Sequence, residues 1–162
     1  VVLVISDTSP LCYAVVIGAQ DVLPTLFGRV VIPQTVANEL CHPCAPETVR
    51  KSILAPPAWL EILPDPASIR AVFAELDAGE QAALELAMQL GADLVLVDER
   101  VATGAARSAG LRTTGLVGVI ELAHRQNLLS LREAFHRLLQ SSSHVSPGLL
   151  RRVAEQNGVS LD

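Results

Sequence analysis

The stretch that decides the fold is residues 76–98, with the sequence LDAGEQAALELAMQLGADLVLVD. Its first half predicts a helix over 77–90, because apolar side chains recur at spacings of three and four residues. Its second half predicts a strand over 94–97, an unbroken apolar run of the kind that is covered on both faces. A helix followed closely by such a strand is typical of α/β proteins that are built around a parallel sheet.

The remainder of the chain alternates in the same way. Ser9-Pro10 predicts the start of a helix, with the serine as N-cap and the proline in the first turn. Pro33 likewise suits the first turn of a helix that follows a strand. Besides 94–97, strands are predicted over 2–6, 29–32, 59–63 and near 112–113, and helices fill most of 99–157. We therefore predict a three-layer α/β fold whose central, mostly parallel sheet of four to five strands is flanked by helices.

Length and composition place the chain among globular proteins. A chain of 162 residues suits a single domain over 1–162, in which the helices from about residue 130 serve as an accessory element for a dimer or a partner. Half of the residues are hydrophobic but only 3% are aromatic, so the core must consist mainly of aliphatic side chains. No apolar run approaches the roughly 18 residues that span a bilayer. The opening VVLVI predicts a buried strand rather than a signal peptide, and we expect a cytoplasmic protein without a membrane partner.

Charge is distributed unevenly along the chain. The net charge of −5 argues against a generally basic, phosphate-coating surface. Residues 1–99 nevertheless contain 13 acids and 4 bases, whereas residues 100–162 contain 4 acids and 8 bases, all of them arginine. This division suits an acidic metal centre beside a nucleic-acid contact surface, and it equally suits helices that carry ordinary solvated arginines.

The three cysteines do not predict a disulfide scaffold, and their odd number suits a reducing compartment. Cys41 and Cys44 have the two-residue spacing of zinc and redox sites, but no second pair follows. Cys12 or His42 is the nearest candidate for a further ligand. We favour thiols without a metal or redox role. The four histidines are scattered, and none is assigned to a site.

Two aspartates occupy equivalent places in the predicted sheet. Asp7 follows the first strand, and Asp98 directly follows the strand over 94–97. Ligands of open parallel sheets bind beyond the carboxyl ends of the strands. If the two strands are neighbours, the two carboxylates lie close together. The alternative for Asp98 is the N-cap of the next helix.

Two glutamates face apolar surroundings. Glu80 falls on the apolar face of the helix over 77–90, while Gln81, Glu85 and Gln89 fall on its polar face. A lone buried carboxylate costs several kcal/mol unless it is paired, protonated or bound to a metal. Glu39, which lies three residues after Val36 and beside Leu40, shows the same pattern less clearly. The alternatives are a structural ion pair or the edge of the apolar face for Glu80, and a solvated helix position for Glu39.

Together, the four acids indicate a cation site. Carboxylates within about 4–6 Å raise one another's pKa, and a divalent cation relieves the repulsion. Oxygen ligands suit Mg²⁺ or Mn²⁺. Such a site hydrolyses phosphodiesters, because the metal lowers the pKa of bound water and stabilises charge on the phosphate.

Several segments share their order and spacing with one known family. They are ISDTSPL at 5–11, Val31-Ile32-Pro33 with Val36 and Glu39-Leu40, LDAGE at 76–80 with Ala83, Leu86 and Ala87, LVDER at 96–100, and Gly110-Leu111, Gly115 and Gly118. In these the chain resembles the PIN-domain nucleases, in particular the short prokaryotic branch related to VapC-type toxins. The resemblance covers nearly the whole chain.

The resemblance implies a metal-dependent endoribonuclease that cleaves single-stranded RNA and needs Mg²⁺ or Mn²⁺. By motif position its catalytic and metal-binding acids are Asp7, Glu39, Glu80 and Asp98. Thr8 and Ser9 assist them by hydrogen bonding to metal water or phosphate. Proteins of this kind are often toxins that a cognate antitoxin holds inactive, and they often form homodimers.

The chain departs from this family pattern at three places. Glu99 stands where many relatives carry a second aspartate, which makes it an auxiliary ligand candidate. Ala102-Thr103 replaces a frequent Gly-Arg, so Arg100 and Arg107 remain as candidates for RNA contact. Asn127 stands where a helix-ending glycine is frequent, and asparagine tolerates the left-handed conformation.

Two other functions are open to such a chain. One is a PIN-like binding module without catalytic activity. The other is aspartyl-phosphate chemistry, as in haloacid dehalogenase-type phosphatases and receiver domains. Those phosphatases have a second aspartate where Ser9 stands, and both classes use a lysine after a later strand. Lys51 is the only lysine and comes too early.

Overall fold

The buried apolar segments pair side by side as a single sheet. In the computed structural model, which describes residues 2–162, the sheet has five strands: β1 (Val4–Ser6), β2 (Val30–Pro33), β3 (Leu60–Leu63), β4 (Leu94–Leu96) and β5 (Thr113–Thr114). Their order is β3-β2-β1-β4-β5, and every pair is parallel. The predicted mostly parallel sheet and the predicted edge strand near 59–63 are therefore confirmed.

The register of the central pair positions the site. β1 and β4 are neighbours, with Ser6 opposite Leu96. The backbone N–H of Asp7 continues the ladder by donating to the Leu96 carbonyl at 2.9 Å. Both strands therefore end at the same edge of the sheet, and the residues that follow them, up to Asp98, emerge together.

Helices cover the sheet and complete the core. In the described part of the chain they are α1 (Thr8–Val16), α2 (Val22–Phe27), α3 (Gln34–Leu40), α4 (Glu47–Leu54), α5 (Ala78–Leu90), α6 (Arg100–Ser108), α7 (Leu116–Arg125), α8 (Leu131–Gln140) and α9 (Pro147–Gln156). A 3₁₀ turn, Ala71–Phe73, precedes α5. Helix α5 packs across β1, β2 and β4, and α8 packs against both α7 and α9. The last two helices contribute buried side chains, Phe135 and Leu150 among them, to the same core as the sheet.

The start of α1 differs from its prediction. The helix begins at Thr8, so Asp7 rather than Ser9 occupies the N-cap position, although no side-chain capping bond forms there. Ser9 lies within the first turn, close enough to Asp98 for its hydroxyl to lower the pKa of that carboxyl. Pro10 is buried in that turn as expected. Pro33 also lies one place earlier than predicted, since it ends β2 and precedes the first residue of α3.

The prediction for α5 was wrong at Glu85 on its polar face and at Leu90 on its apolar face, whereas Gln89 is exposed as predicted. Glu85 is only 4% exposed, and Leu90, which belonged to the predicted apolar face, is 44% exposed. The reason is tertiary, because the segment before α5 brings Arg70 against the helix. The Arg70 guanidinium donates to both carboxylate oxygens of Glu85, each at 2.9 Å. Glu85, paired with Arg70, is therefore buried at a position where helical spacing alone predicts exposure to solvent.

None of the helices in residues 2–162 combines the length and the apolar character that a membrane crossing requires.

Candidate functional site

A cleft of about 670 Å³ opens at the edge where β1 and β4 end. Six acidic residues contribute to its lining: Asp7, Glu39, Asp77, Glu80, Asp98 and Glu99. All four acids of the predicted site are among them, although they come from four separate places in the sequence. We call this space the acidic cleft.

Asp7 is the acid of the cleft that has an unpaired buried oxygen. It is 5% exposed, and its Oδ1 has no hydrogen-bond partner within residues 2–162. Burial raises the pKa of the Asp7 carboxyl from its usual 3.8 to about 7, against the opposing effect of the Thr8 backbone N–H. The negative charges of Glu80, Asp77 and Glu39 raise that pKa further. An unpaired buried oxygen among acids is the environment that a cation stabilises.

Glu39 reaches the cleft from α3 and is half-buried. The Thr8 hydroxyl donates a short hydrogen bond to its Oε2. Gly79, in the first turn of α5, makes room for the same carboxylate, because a Cβ at residue 79 would stand 2.7 Å from Glu39 Oε1. The glycine of the LDAGE motif is therefore explained by the close approach of α3 to the start of α5.

Glu80 forms hydrogen bonds at the start of its own helix and also lines the acidic cleft. It forms a capping box with Asp77: the Glu80 N–H donates to Asp77 Oδ1 at 2.9 Å, and the Asp77 N–H donates to Glu80 Oε2 at 3.2 Å. Burial raises the pKa of Glu80, the bond from Asp77 lowers it, and the charges of Asp77, Glu99 and Glu39 raise it again. Its 5% exposure confirms that this glutamate faces inward.

Asp98 lies against the start of α7. Its Oδ1 accepts the Leu116 N–H at 2.8 Å, and a Cβ at Gly115 would stand 2.5 Å from the same oxygen. Although the residue as a whole is exposed, burial of the carboxyl group raises its pKa, while the bonds from Leu116 and Ser9 lower it. Asp98 is thus held by the N-terminus of α7 rather than acting as the N-cap of α6.

Glu99 has that capping role instead. Its Oε2 accepts the backbone N–H groups of Val101 and Ala102, at 2.7 and 3.0 Å, at the start of α6. Because Glu99 also lines the cleft, its predicted role as an auxiliary ligand stays a prediction. Thr8, predicted to contact metal water or phosphate, here donates to Glu39, and Ser9, for which the same contact was predicted, lies close enough to Asp98 to lower the pKa of its carboxyl.

These contacts bear on whether a divalent cation fits. Among residues 2–162, no three His, Cys, Asp or Glu side chains are arranged to hold one ion. In this arrangement Glu39, Glu80 and Asp98 each accept a hydrogen bond from the protein. The unpaired Oδ1 of Asp7 and the oxygen-only donor set still suit a hard cation such as Mg²⁺ or Mn²⁺.

The candidate arginines line two adjoining clefts. Arg100 lines the acidic cleft. Arg107 lines a second cleft, which shares Asp98 and Val145 with the first, and its Nε donates to the Thr113 hydroxyl at 2.9 Å. The cysteine pair lies elsewhere, in the turn after α3. Its thiols are free, and Cys44 is exposed.

Sequence reasoning missed several residues that line the cleft, Asp77 and His144 among them. Asp77 had a signal, since an N-cap residue followed three places later by glutamate is the pattern of a capping box. His144 had none. It belongs to the loop between α8 and α9, which reaches the cleft only through the packing of those helices.

A comparison with known families agrees with the fold. No curated protein matches the chain. A family model described as a PIN domain matches residues 3–158, which is nearly the entire chain. This protein is therefore a member of the PIN-domain family, whose fold is of the nuclease type.

Proposed function

We propose that this chain is a metal-dependent endoribonuclease that hydrolyses phosphodiester bonds of single-stranded RNA and uses Mg²⁺ or Mn²⁺. The observation that carries the proposal is the buried Asp7, whose Oδ1 lacks a partner at the centre of an acidic cleft. The PIN-type fold, which is generally that of nucleases, supports it.

The residues that would hold the metal are Asp7, Glu39, Glu80 and Asp98. A bound divalent cation supplies an acidified water and stabilises negative charge on the phosphate. The chain itself orients the ligands. The Thr8 hydroxyl holds Glu39, and the Leu116 N–H holds Asp98. Arg100, on the lining of the same cleft, is the candidate for contact with substrate phosphates.

The choice of RNA and the biological role rest on the resemblance to VapC-type proteins. We propose on this basis that the chain is the toxin of a cytoplasmic toxin–antitoxin pair and that it forms a homodimer. The helices from about residue 130 are the proposed accessory element for a partner. Gel filtration with and without a co-expressed antitoxin tests the assembly.

Two alternatives differ in their support. A binding module without catalytic activity is favoured by one observation, namely that the carboxylates bond to protein donors rather than converging on one point. Aspartyl-phosphate chemistry has no comparable support. Lys51 lies on α4, where it pairs with Glu47 at 2.7 Å, and it does not line the acidic cleft.

The test is cleavage of labelled single-stranded RNA and matching DNA with Mn²⁺, Mg²⁺ or EDTA. We expect RNA cleavage in either metal and none in EDTA. Asp7→Asn should abolish it, while Asp21→Asn, a change of an exposed aspartate outside the cleft, should not. Mn²⁺ binding without cleavage of either nucleic acid would favour the binding module.

A further inference from the structure

The loop between α8 and α9 reaches the acidic cleft. Residues 141–146, which we call the strap, contribute Ser143, His144 and Val145 to the lining. The strap is remote in sequence from every acid of the cleft. None of the family motifs includes it.

The strap is fixed to α8 at its start. The Ser141 and Ser143 hydroxyls both donate to the Leu138 carbonyl, at 2.6 and 3.3 Å. The Ser143 N–H also donates to the Ser141 hydroxyl at 3.2 Å. Three hydrogen bonds therefore define the path of the backbone immediately before His144.

Two further contacts hold the strap against the cleft. The Ser142 hydroxyl lies 3.1 Å from the Tyr13 hydroxyl of α1. After the histidine, the side chain of Val145 is half-buried and packs against the core. His144 therefore lines the cleft between residues that are held on both sides by contacts with the rest of the fold.

His144 brings a donor to a cleft that is dominated by acceptors. Beside six acids, Arg100 and His144 are the lining residues whose side chains carry N–H groups. His144 is exposed, and its ring makes no hydrogen bond within the described part of the chain. Either tautomer of a neutral imidazole carries one N–H donor, so the donor does not depend on protonation of the ring.

A nucleic-acid strand that enters this cleft meets the repulsion of the carboxylates. Donors on the rim offset this repulsion and fix the position of the phosphates. Arg100 supplies such a donor at the start of α6, and the strap supplies His144 from a different part of the fold.

We propose that His144 is a substrate-contacting residue, whose ring N–H donates to a non-bridging phosphate oxygen of the bound RNA strand. The contact holds the strand in the cleft. This inference rests on the proposed nuclease function and extends its site to the strap.

The test compares His144→Ala and His144→Asn with wild type in RNA cleavage with Mn²⁺. His42→Ala is the matched control, because His42 is the other exposed histidine and does not line the cleft. A lost hydrogen bond to a charged group lowers kcat/KM about 10- to 150-fold. We expect most of this loss in KM, partial recovery in His144→Asn, and no change of melting temperature or Mn²⁺ affinity.

A phosphate scan identifies the contact directly. Substrates with one phosphate at a time replaced by a neutral methylphosphonate are cleaved by wild type and by His144→Ala. At the contacted phosphate, the replacement should slow wild type and have little further effect on the variant. At the remaining phosphates, the two proteins should respond alike.

The remaining outcomes separate a failure of the inference from a failure of the proposed function. If wild type cleaves RNA and His144→Ala cleaves it equally well, the inference is wrong and the proposed function stands. A loss of stability or Mn²⁺ affinity in His144→Ala, with no phosphate-specific effect, also overturns the inference, because it assigns the strap a structural role. If wild type cleaves no nucleic acid, the proposed function fails and the inference fails with it.

Discussion

Two glutamates on the same helix show what a buried carboxylate requires. Glu80 and Glu85 lie on α5 and are 5% and 4% exposed. Glu85 meets the guanidinium of Arg70, and its pKa is lowered by the side-chain hydrogen bonds from that arginine. Glu80 meets acids instead, and burial raises its pKa. Equal burial therefore has opposite electrostatic consequences, because Glu85 has a cationic partner whereas Glu80 has acidic neighbours.

The largest expected effect is on RNA cleavage, which substitution of Glu80 should lower far more than substitution of Glu85. Glu80→Gln keeps the acceptor of the capping box but removes a metal ligand, so metal-dependent RNA cleavage should fall by at least about 100-fold. Glu85→Gln should leave kcat/KM within about threefold, because its contacts are to Arg70. Initial rates with Mn²⁺ measure both. Equal losses of activity in the two variants would contradict the division into a metal-site and a structural acid.

The next effect concerns Asp7, whose carboxyl pKa is raised by burial to about 7. The Asp7 carboxyl has a pKa of about 7 in the folded chain against 3.8 when unfolded. Between these values the folded state binds more protons, so the stability of the metal-free protein falls as pH rises through this window and is lowest above pH 7. Asp7→Asn removes this dependence, and we expect it to exceed wild type by about 2–4 kcal/mol at pH 8 but by much less at pH 4.

Urea denaturation in EDTA at the two pH values measures this difference. Added Mn²⁺ should raise the stability of wild type at pH 8 and have little effect on Asp7→Asn. The Asp21→Asn control should follow wild type throughout. A difference between Asp7→Asn and wild type that is the same at both pH values would contradict the elevated pKa.

The third effect concerns the ion pair between Glu85 and Arg70. Glu85→Gln retains the size of the side chain but loses the charge that holds Arg70, and we expect unfolding to become easier by about 1–3 kcal/mol. Since the Glu85 pKa is lowered in the folded state, the contribution of the pair is present at neutral pH and disappears as pH falls through that lowered pKa. Thermal melts of wild type and variant should therefore converge in acid. An unchanged difference at low pH would show that packing, not charge, stabilises this contact.

The smallest effect on stability comes from the glycine beside Glu80. Gly79→Ala should stabilise α5 by up to about 1 kcal/mol, as alanine does in helices, if the flexible Glu39 carboxylate moves aside. That movement should lower metal affinity and cleavage about tenfold. Gly104→Ala is the matched control, because Gly104 lies in α6 with open space around it. Titration calorimetry with Mn²⁺ distinguishes the two, and equal Mn²⁺ affinities would contradict the close approach of α3.

Much of the fold followed from local patterns in the sequence. The unbroken apolar run over 94–97 predicted a buried strand, and two acids after predicted strands indicated a shared sheet edge. Both features depend on the order of apolar and acidic residues along the chain, which the sequence records directly. The left-handed conformation of Asn127 was also predicted, and its φ is 59°. Asparagine adopts this conformation more readily than most residues because its short side chain bonds locally.

Other features were decided only by the tertiary structure. The partner of Glu85, the capture of Asp98 by the N-terminus of α7, and the presentation of His144 each join segments that are distant in the sequence. Helical spacing predicts which residues share a face of a helix, but it does not predict what packs against that face. The sequence alone thus determined the sheet and the identity of the candidate acids. Packing decided which buried acid acquired an arginine and which kept acidic neighbours, because charge compensation depends on distance through space rather than along the chain.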